Sequence, residues 1–327
     1  MQGDGLFEVL PEGDAPSSKT AYFFLVLMIL IGSSTAASAK FVVRELPPSL
    51  IPLIRFGVAG LILLPIVWRS EGFWRMLRED APRLALTAAF CVPINQAFFL
   101  NGTKLAPTTH VALIYSACPL IVLGLATAIG QERMTMGRLL GVVASVAGLL
   151  VIAAGNVRDA TSTGRDVLLG DLILIGAVTS WAAYLTVGKP LIARYGSLPV
   201  LAGTFLVGGL LHLPVAVWTS GSWTPLSGVS PRAWFALVHL TLVVSILGLL
   251  FQNLALARLD ASQVATFGNL SPLLTIVWGN LLFGERLTPA LAFGGVLILL
   301  GLLGTTRPAR RVEGSSILVP VPLAGER

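Results

Sequence analysis

Long apolar runs, each closed by a charge or by a Gly/Pro cluster, follow one another along almost the whole chain and predict ten helices. They fall at 20–39, 48–68, 81–101, 107–130, 136–154, 170–189, 198–218, 233–257, 261–283 and 288–305. A helix needs about 20 mainly apolar residues to cross the hydrocarbon of a bilayer. The runs have that length and the chain between them is short, so the pattern predicts an all-α integral membrane protein with ten transmembrane helices. One run departs from the rest: Gly32 to Ala39 places eight small side chains in a row ahead of Lys40. In lipid, helices associate by close backbone approach, and Gly32 with Ala36 has the small-xxx-small spacing that permits it. Ser33, Ser34, Thr35 and Ser38 add hydroxyls that can bond within the helix or reach a cavity, and Ser34 and Ser38 are candidates for substrate contact.

Composition agrees with the pattern. Of 327 residues, 55% are hydrophobic and 12% charged, against about 25% charged in a globular domain, and the mean hydropathy is +0.83. The net charge of +6 is spread through short loops, so it reads as a topology signal and not as a nucleic-acid surface. With the N-terminus inside, the inner segments hold 14 Lys and Arg and the outer ones 7. That excess predicts a multi-pass protein of the bacterial inner membrane with both termini in the cytoplasm. Residues 1–18 carry Asp4, Glu8, Glu12 and Asp14 without Lys or Arg, the reverse of a signal peptide, so the first span is expected to be retained. Cys91 and Cys118 lie in apolar runs and imply neither a disulfide framework nor a metal cluster. Gly188-Lys189 is followed by Pro190 in an apolar segment, and no H-E-x-x-H or G-x-S-x-G occurs. Neither an enzyme nor a resident cofactor or metal is expected.

Residues 104–150 repeat after a shift of 153. Pro119-Leu120 falls on Pro272-Leu273, Glu132-Arg133 on Glu285-Arg286, Gly141 on Gly294, and Gly148-Leu149-Leu150 on Gly301-Leu302-Leu303. Gly60 and Pro65 are echoed more weakly by Gly209 and Pro214. Each half holds five spans, and an odd number makes the copies enter the membrane from opposite sides. That is the inverted repeat common in secondary transporters, with the substrate site between the halves. The expected organisation is a disordered cytoplasmic segment 1–19, a first five-helix repeat 20–154, a linker 155–169, a second repeat 170–305 and a cytoplasmic tail 306–327.

The stretches GTKLAPTTHVALIYSACPLIVLGLATAIGQERMT and ALARLDASQVATFGNLSPLLTIVWGNLLFGERLT resemble the paired signature of the ten-helix, EamA-type branch of the drug/metabolite transporter superfamily. Arg55-Phe56 and Thr179-Ser180-Trp181-Ala182 are similar to the same family, whereas its usual Trp before Gly-Ser in the first helix is Ile31 here. The resemblance spans residues 20–305 and implies a transporter, usually an exporter of amino acids or other small metabolites, with two bundles around a central cavity.

Several residues within the predicted spans are candidates for that site. Arg55 can hold a substrate carboxylate, or snorkel and pair structurally. Trp181 and Tyr184, spaced i and i+3, share one helix face and suit a flat apolar substrate, a cation, or ordinary packing. Asn95, Gln96, His110, Gln252, Asn253 and Asn269 place polar groups in apolar runs, where each needs a partner from a neighbouring helix, water or substrate. Pro119 and Pro272 lack a backbone donor and are expected to kink their helices near Tyr115 and Gly268, as hinges or as fixed bends. The kink brings Tyr115 into the candidate set. Glu132 and Glu285 are expected to pair with Arg133 and Arg286 or to cap a following helix. Taken together these residues favour export of amino acids with aromatic or apolar side chains. Export of cationic or amphiphilic drugs is an alternative through cation–ring attraction, and a non-transporting scaffold is the alternative of another class. The sequence leaves the oligomeric state open, a monomer being compatible with it.

Overall fold

The computed structural model describes residues 18–106, 111, 114–155, 165–219, 228–271, 274 and 289–306. Among them there is no strand. Five helical stretches are long and apolar enough to cross a membrane: Leu50–Val67, Ala81–Leu105, Arg165–Tyr195, Ser197–Trp218 and Pro231–Leu256. Shorter apolar helices occupy Lys19–Gly32, Ile114–Ala128, Met136–Gly148 and Phe293–Thr305. The latter part of the predicted helix at 261–283, both terminal segments, His110, Pro272 and Glu285 lie outside the described residues.

The first predicted helix is not one rod. It divides into α1 (Ser18–Gly32) and α2 (Thr35–Val42), with Ser33 and Ser34 in the turn between them. Ser33 Oγ donates to the Leu30 carbonyl at 2.8 Å and Ser34 Oγ to that of Ile31 at 2.7 Å. Serine hydroxyls compete in this way with the helical ladder, so the small-residue run that favours close packing also interrupts the helix.

Next come α3 (Leu50–Val67) and α4 (Glu71–Glu79). The latter is a short helix where only a connection was expected, capped by Ser70 Oγ, which accepts from Phe73 N at 3.4 Å. Helix α5 (Ala81–Ala89) continues through a π-helical turn, π1 (Phe90–Ile94), into α6 (Asn95–Leu105). Pro93 sits inside π1, where wider winding accommodates its missing N–H. After α7 (Cys118–Ala128) and α8 (Met136–Gly155) comes the longest helix, α9 (Arg165–Tyr195), which outruns its predicted 170–189 at both ends and stops at Gly196, φ 87°. Helix α10 (Ser197–Thr219) precedes a composite span of α11 (Pro231–Val238), the ten-residue π-helical π2 (His239–Gly248) and α12 (Leu249–Leu256). The described chain closes with α13 (Ala261–Gly268) and α14 (Pro289–Thr306).

Large apolar side chains point outward, among them Leu61, Leu210, Phe235 and Trp218, the last 89% exposed. In water such a surface would associate; in lipid it is the solvated face. Helix pairs meet backbone to backbone at several places among the described residues. A Cβ on Gly148 of α8 would lie 2.4 Å from the Gly294 carbonyl oxygen of α14, and one on Gly301 2.4 Å from that of Gly141. At another place, a Cβ on Gly60 of α3 would lie 2.9 Å from Leu206 N, and one on Gly209 of α10 3.1 Å from Gly57 Cα.

Past the ends of α7 and α12 a buried ionic cluster joins distant parts of the chain. Glu132, whose side chain has no exposure, pairs with Arg138 at 3.5 Å. Its carboxylate also accepts from Ser262 N at 3.0 Å and from the Ser262 hydroxyl, capping α13. Arg138 reaches on to Asp260, and Lys189 Nζ lies 3.3 Å from the same carboxylate. A more exposed contact at the opposite end of the composite span pins α2 to α11. There Glu45 accepts from Ser230 N at 2.6 Å and from its hydroxyl at 2.7 Å, and these donors hold the carboxyl below its usual range.

Candidate substrate cavity

A cavity of about 260 Å³ opens among α1, α7, α9, α12 and α13. Its described wall combines Trp181, Tyr115 and Met28 with the polar side chains of Gln252, Asn269, Ser116 and Ser271. No Asp, Glu, Lys or Arg belongs to that wall among the described residues.

Two interrupted helices build one side of it. The stretch Ile114–Ala128 is broken at Ala117, where Ala117 N bonds back only three residues, to the Ile114 carbonyl at 3.1 Å. In the same way Asn269 N bonds to the Thr266 carbonyl at 3.1 Å and Leu270 N to that of Phe267 at 3.0 Å as α13 ends. Each interruption comes just ahead of a proline, Pro119 in one case and Pro272 in the other, as loss of the backbone donor leads one to expect. The two meet at the cavity: Asn269 Nδ2 lies 3.3 Å from the Ser116 carbonyl and 3.2 Å from Ser145 Oγ. Asn269 therefore ties the breaks together as well as facing the space.

Helix α9 supplies the aromatic side. Trp181 is half-buried on the cavity wall, and its ring lies 5.0 Å from that of Tyr184 at 47°. Tyr184 itself stands behind the wall, buried, and its hydroxyl donates to Asn253 Oδ1 at 3.2 Å. Tyr115 completes the aromatic lining and packs edge-on against Phe99 at 5.7 Å.

The remaining sequence candidates sit elsewhere. Asn95 is buried and donates Nδ2 to the Ala177 carbonyl at 2.9 Å, which holds α6 to α9, and it accepts from Gln96 Nε2 at 3.0 Å within α6. Arg55 is not on the described cavity wall; its Nε donates to Ser245 Oγ on π2 at 2.5 Å, and its guanidinium lies over the Phe56 ring at 4.8 Å. Ser34 lies 2.9 Å from His239 Nε2, while Ser38 and His239 line a separate, more open space of about 490 Å³ beside Phe41 and Phe235. Thus Tyr115, Trp181 and Asn269 converge, Tyr184 supports them, and Ser34, Ser38, Arg55, Asn95 and Gln96 do not line the cavity. Gln252 was visible in the sequence only as one polar residue among several. Its place on the wall depends on the winding of π2, which no periodicity announces.

The EamA-like transporter family model matches this chain twice, over residues 19–154 and 168–307. An uncharacterized transporter of Bacillus subtilis, YyaM, is 28% identical over 284 residues, covering 86% of this chain and 92% of its own. A probable terminal-alkyne amino-acid exporter of Streptantibioticus cattleyicolor is 27% identical over 274 residues, 80% of this chain and 89% of its own. A solved crystal structure shares the fold with a TM-score of 0.75 at 21% identity, covering 91% of this chain and all of that one.

Proposed function

This chain belongs to the EamA-like transporter family, and from that membership together with the cavity we infer that it exports amino acids with aromatic or apolar side chains. The carrying observation is the wall itself: rings at Trp181 and Tyr115 for a flat side chain, amide groups at Gln252 and Asn269 for a polar end, and no charge among its described residues. The Streptantibioticus relative, named for an amino-acid substrate, supports the same class. Export of cationic drugs would use the same rings. A buried organic cation, however, would find no carboxylate on the described wall to offset its desolvation. Membership in a transporter family weighs against a static scaffold.

Ten spans in two inverted five-helix repeats, 20–154 and 170–305, provide the alternating access. Glycine contacts support this arrangement. Gly141 and Gly148 correspond by sequence to Gly294 and Gly301, and Gly148 meets Gly294 while Gly301 meets Gly141. Reciprocity of this kind, where i meets j′ and j meets i′, is the mark of a two-fold relation. Ser116 and Asn269, 153 residues apart and equivalent by the same offset, likewise touch each other. Breaks ahead of Pro119 and Pro272 then stand on the axis where the halves rock.

In proteoliposomes, counterflow of labelled phenylalanine and tryptophan above protein-free vesicles is the expected result. Trp181→Ala lowers it about three- to tenfold, the range of an aromatic pair contributing roughly 0.5–1.5 kcal/mol beyond burial. No flux across a broad amino-acid panel removes the substrate assignment, and unchanged flux in Trp181→Ala removes that residue from it.

A further inference from the structure

We propose that Gln252 sets substrate selectivity by donating a hydrogen bond from its Nε2 amide to an acceptor oxygen on a solute held against Trp181. The assignment rests on the exporter reading above but names a residue and a chemistry which that reading leaves open.

Gln252 belongs to α12, lines the cavity and is 5% exposed. Its Nε2 is buried and makes no hydrogen bond; it lies near the Tyr184 hydroxyl without reaching bonding geometry. The neighbouring amides behave differently. Asn253 accepts from Tyr184, and Asn269, across the cavity, donates to Ser116 and Ser145. A buried donor left unmade is costly, and native structures keep few of them. The residue lines the cavity while this atom has almost no accessible surface, so a turn of the amide about its last bond is what brings the donor to whatever enters.

The wall also says which acceptor. With no Lys or Arg on its described part, a carboxylate is not held there by an ion pair, so the amide donor carries the recognition of the oxygen. Such a site takes a zwitterion or a neutral amide with a flat side chain. It rejects an analogue of the same shape that lacks the oxygen, because rejection then arises from leaving the buried donor unpaired.

The test pairs ligand and protein changes. Binding is read as ligand-dependent thermal stabilisation of the purified full-length protein, which does not depend on transport. The ligands are 3-phenylpropionamide against isopentylbenzene, both uncharged and of similar shape, and phenylalanine against phenethylamine, whose bare ammonium adds a desolvation cost of its own. The wild-type protein should prefer the oxygen-bearing member of each pair by about tenfold or more, the range for a hydrogen bond in a desolvated site. Gln252→Met, similar in length and shape, should lose that preference in the uncharged pair while keeping its affinity for isopentylbenzene, and Gln252→Glu should invert that of the charged pair in favour of phenethylamine. Should Gln252→Met fail to fold, Gln252→Glu carries the comparison. If phenylalanine does not bind but the neutral amide does, with the same dependence on Gln252, the amino-acid reading falls and the role of Gln252 stands. An undiminished preference in Gln252→Met, or none in the wild type, overturns the assignment and leaves the amide to water.

Discussion

Glu132→Ala is expected to destabilise the folded protein by about 3–5 kcal/mol, the cost of removing one partner from a buried ion pair. The side chain is wholly buried, and three groups depend on it. Arg138, itself only 10% exposed, keeps Asp260 but loses its second carboxylate, and the Ser262 N–H and hydroxyl at the start of α13 lose their acceptor. Glu132→Gln retains an acceptor for Ser262 while removing the charge, so its cost falls between wild type and alanine. Reversible denaturant unfolding in mixed micelles measures all three. A loss under about 1 kcal/mol, the range of an exposed pair, would mean that water reaches the cluster. Replacing Glu132 and Arg138 together by methionine should recover much of the loss, because exchanging a whole buried pair for apolar groups leaves no uncompensated charge.

Gly301→Val is the second large effect, and it acts through sterics. A Cβ at that position would lie 2.4 Å from the Gly141 carbonyl oxygen and 2.5 Å from Ser145 N, both backbone atoms that cannot turn aside. Helices α8 and α14 must then separate along their contact. Alanine already exceeds the space, and overpacking costs about 1–3 kcal/mol; valine, with two further methyl groups, should leave little folded protein in the membrane fraction. Gly148→Ala should resemble Gly301→Ala, since the two occupy corresponding positions and each faces a carbonyl at 2.4 Å. Gly124 has nothing within 4 Å, so Gly124→Ala is the tolerated control. Monodispersity and melting temperature of the solubilised variants give the comparison, and a normally folded Gly301→Val would refute the close crossing.

How much of this was legible beforehand varies with the physics involved. Helix locations were, because a helix in lipid must be apolar along its whole length, and the predicted 48–68, 136–154 and 198–218 lie close to α3, α8 and α10. Internal winding was not. The break at Ser33-Ser34 depends on hydroxyls choosing their own backbone over the helical ladder, and π1 and π2 leave no trace in hydrophobic periodicity. Of the candidate site, Trp181 stood out by sharing a helix face with Tyr184, Asn269 as an amide in an apolar run, and Tyr115 through the kink expected ahead of Pro119. Ser34 and Ser38 seemed equally plausible in sequence, yet the break after Gly32 directs them to His239 and the outer space. Glu132 was expected to pair or to cap a helix, and it caps α13; that Arg138 reaches it depends on the turn after α7, which no spacing announces.

The π-helical stretch His239–Gly248 makes the cavity sensitive to counting. Each residue of an α-helix advances the chain by about 100°, so removing a single residue there turns everything beyond it by roughly that angle. Gln252 and Asn253 would leave Trp181 and Tyr184, and the apolar side chains that now meet lipid would take their places. Ordinary substitutions in π2 alter one contact at a time. A one-residue deletion would re-index the whole downstream face, exchanging an amide-lined pocket for a greasy one without a single substitution.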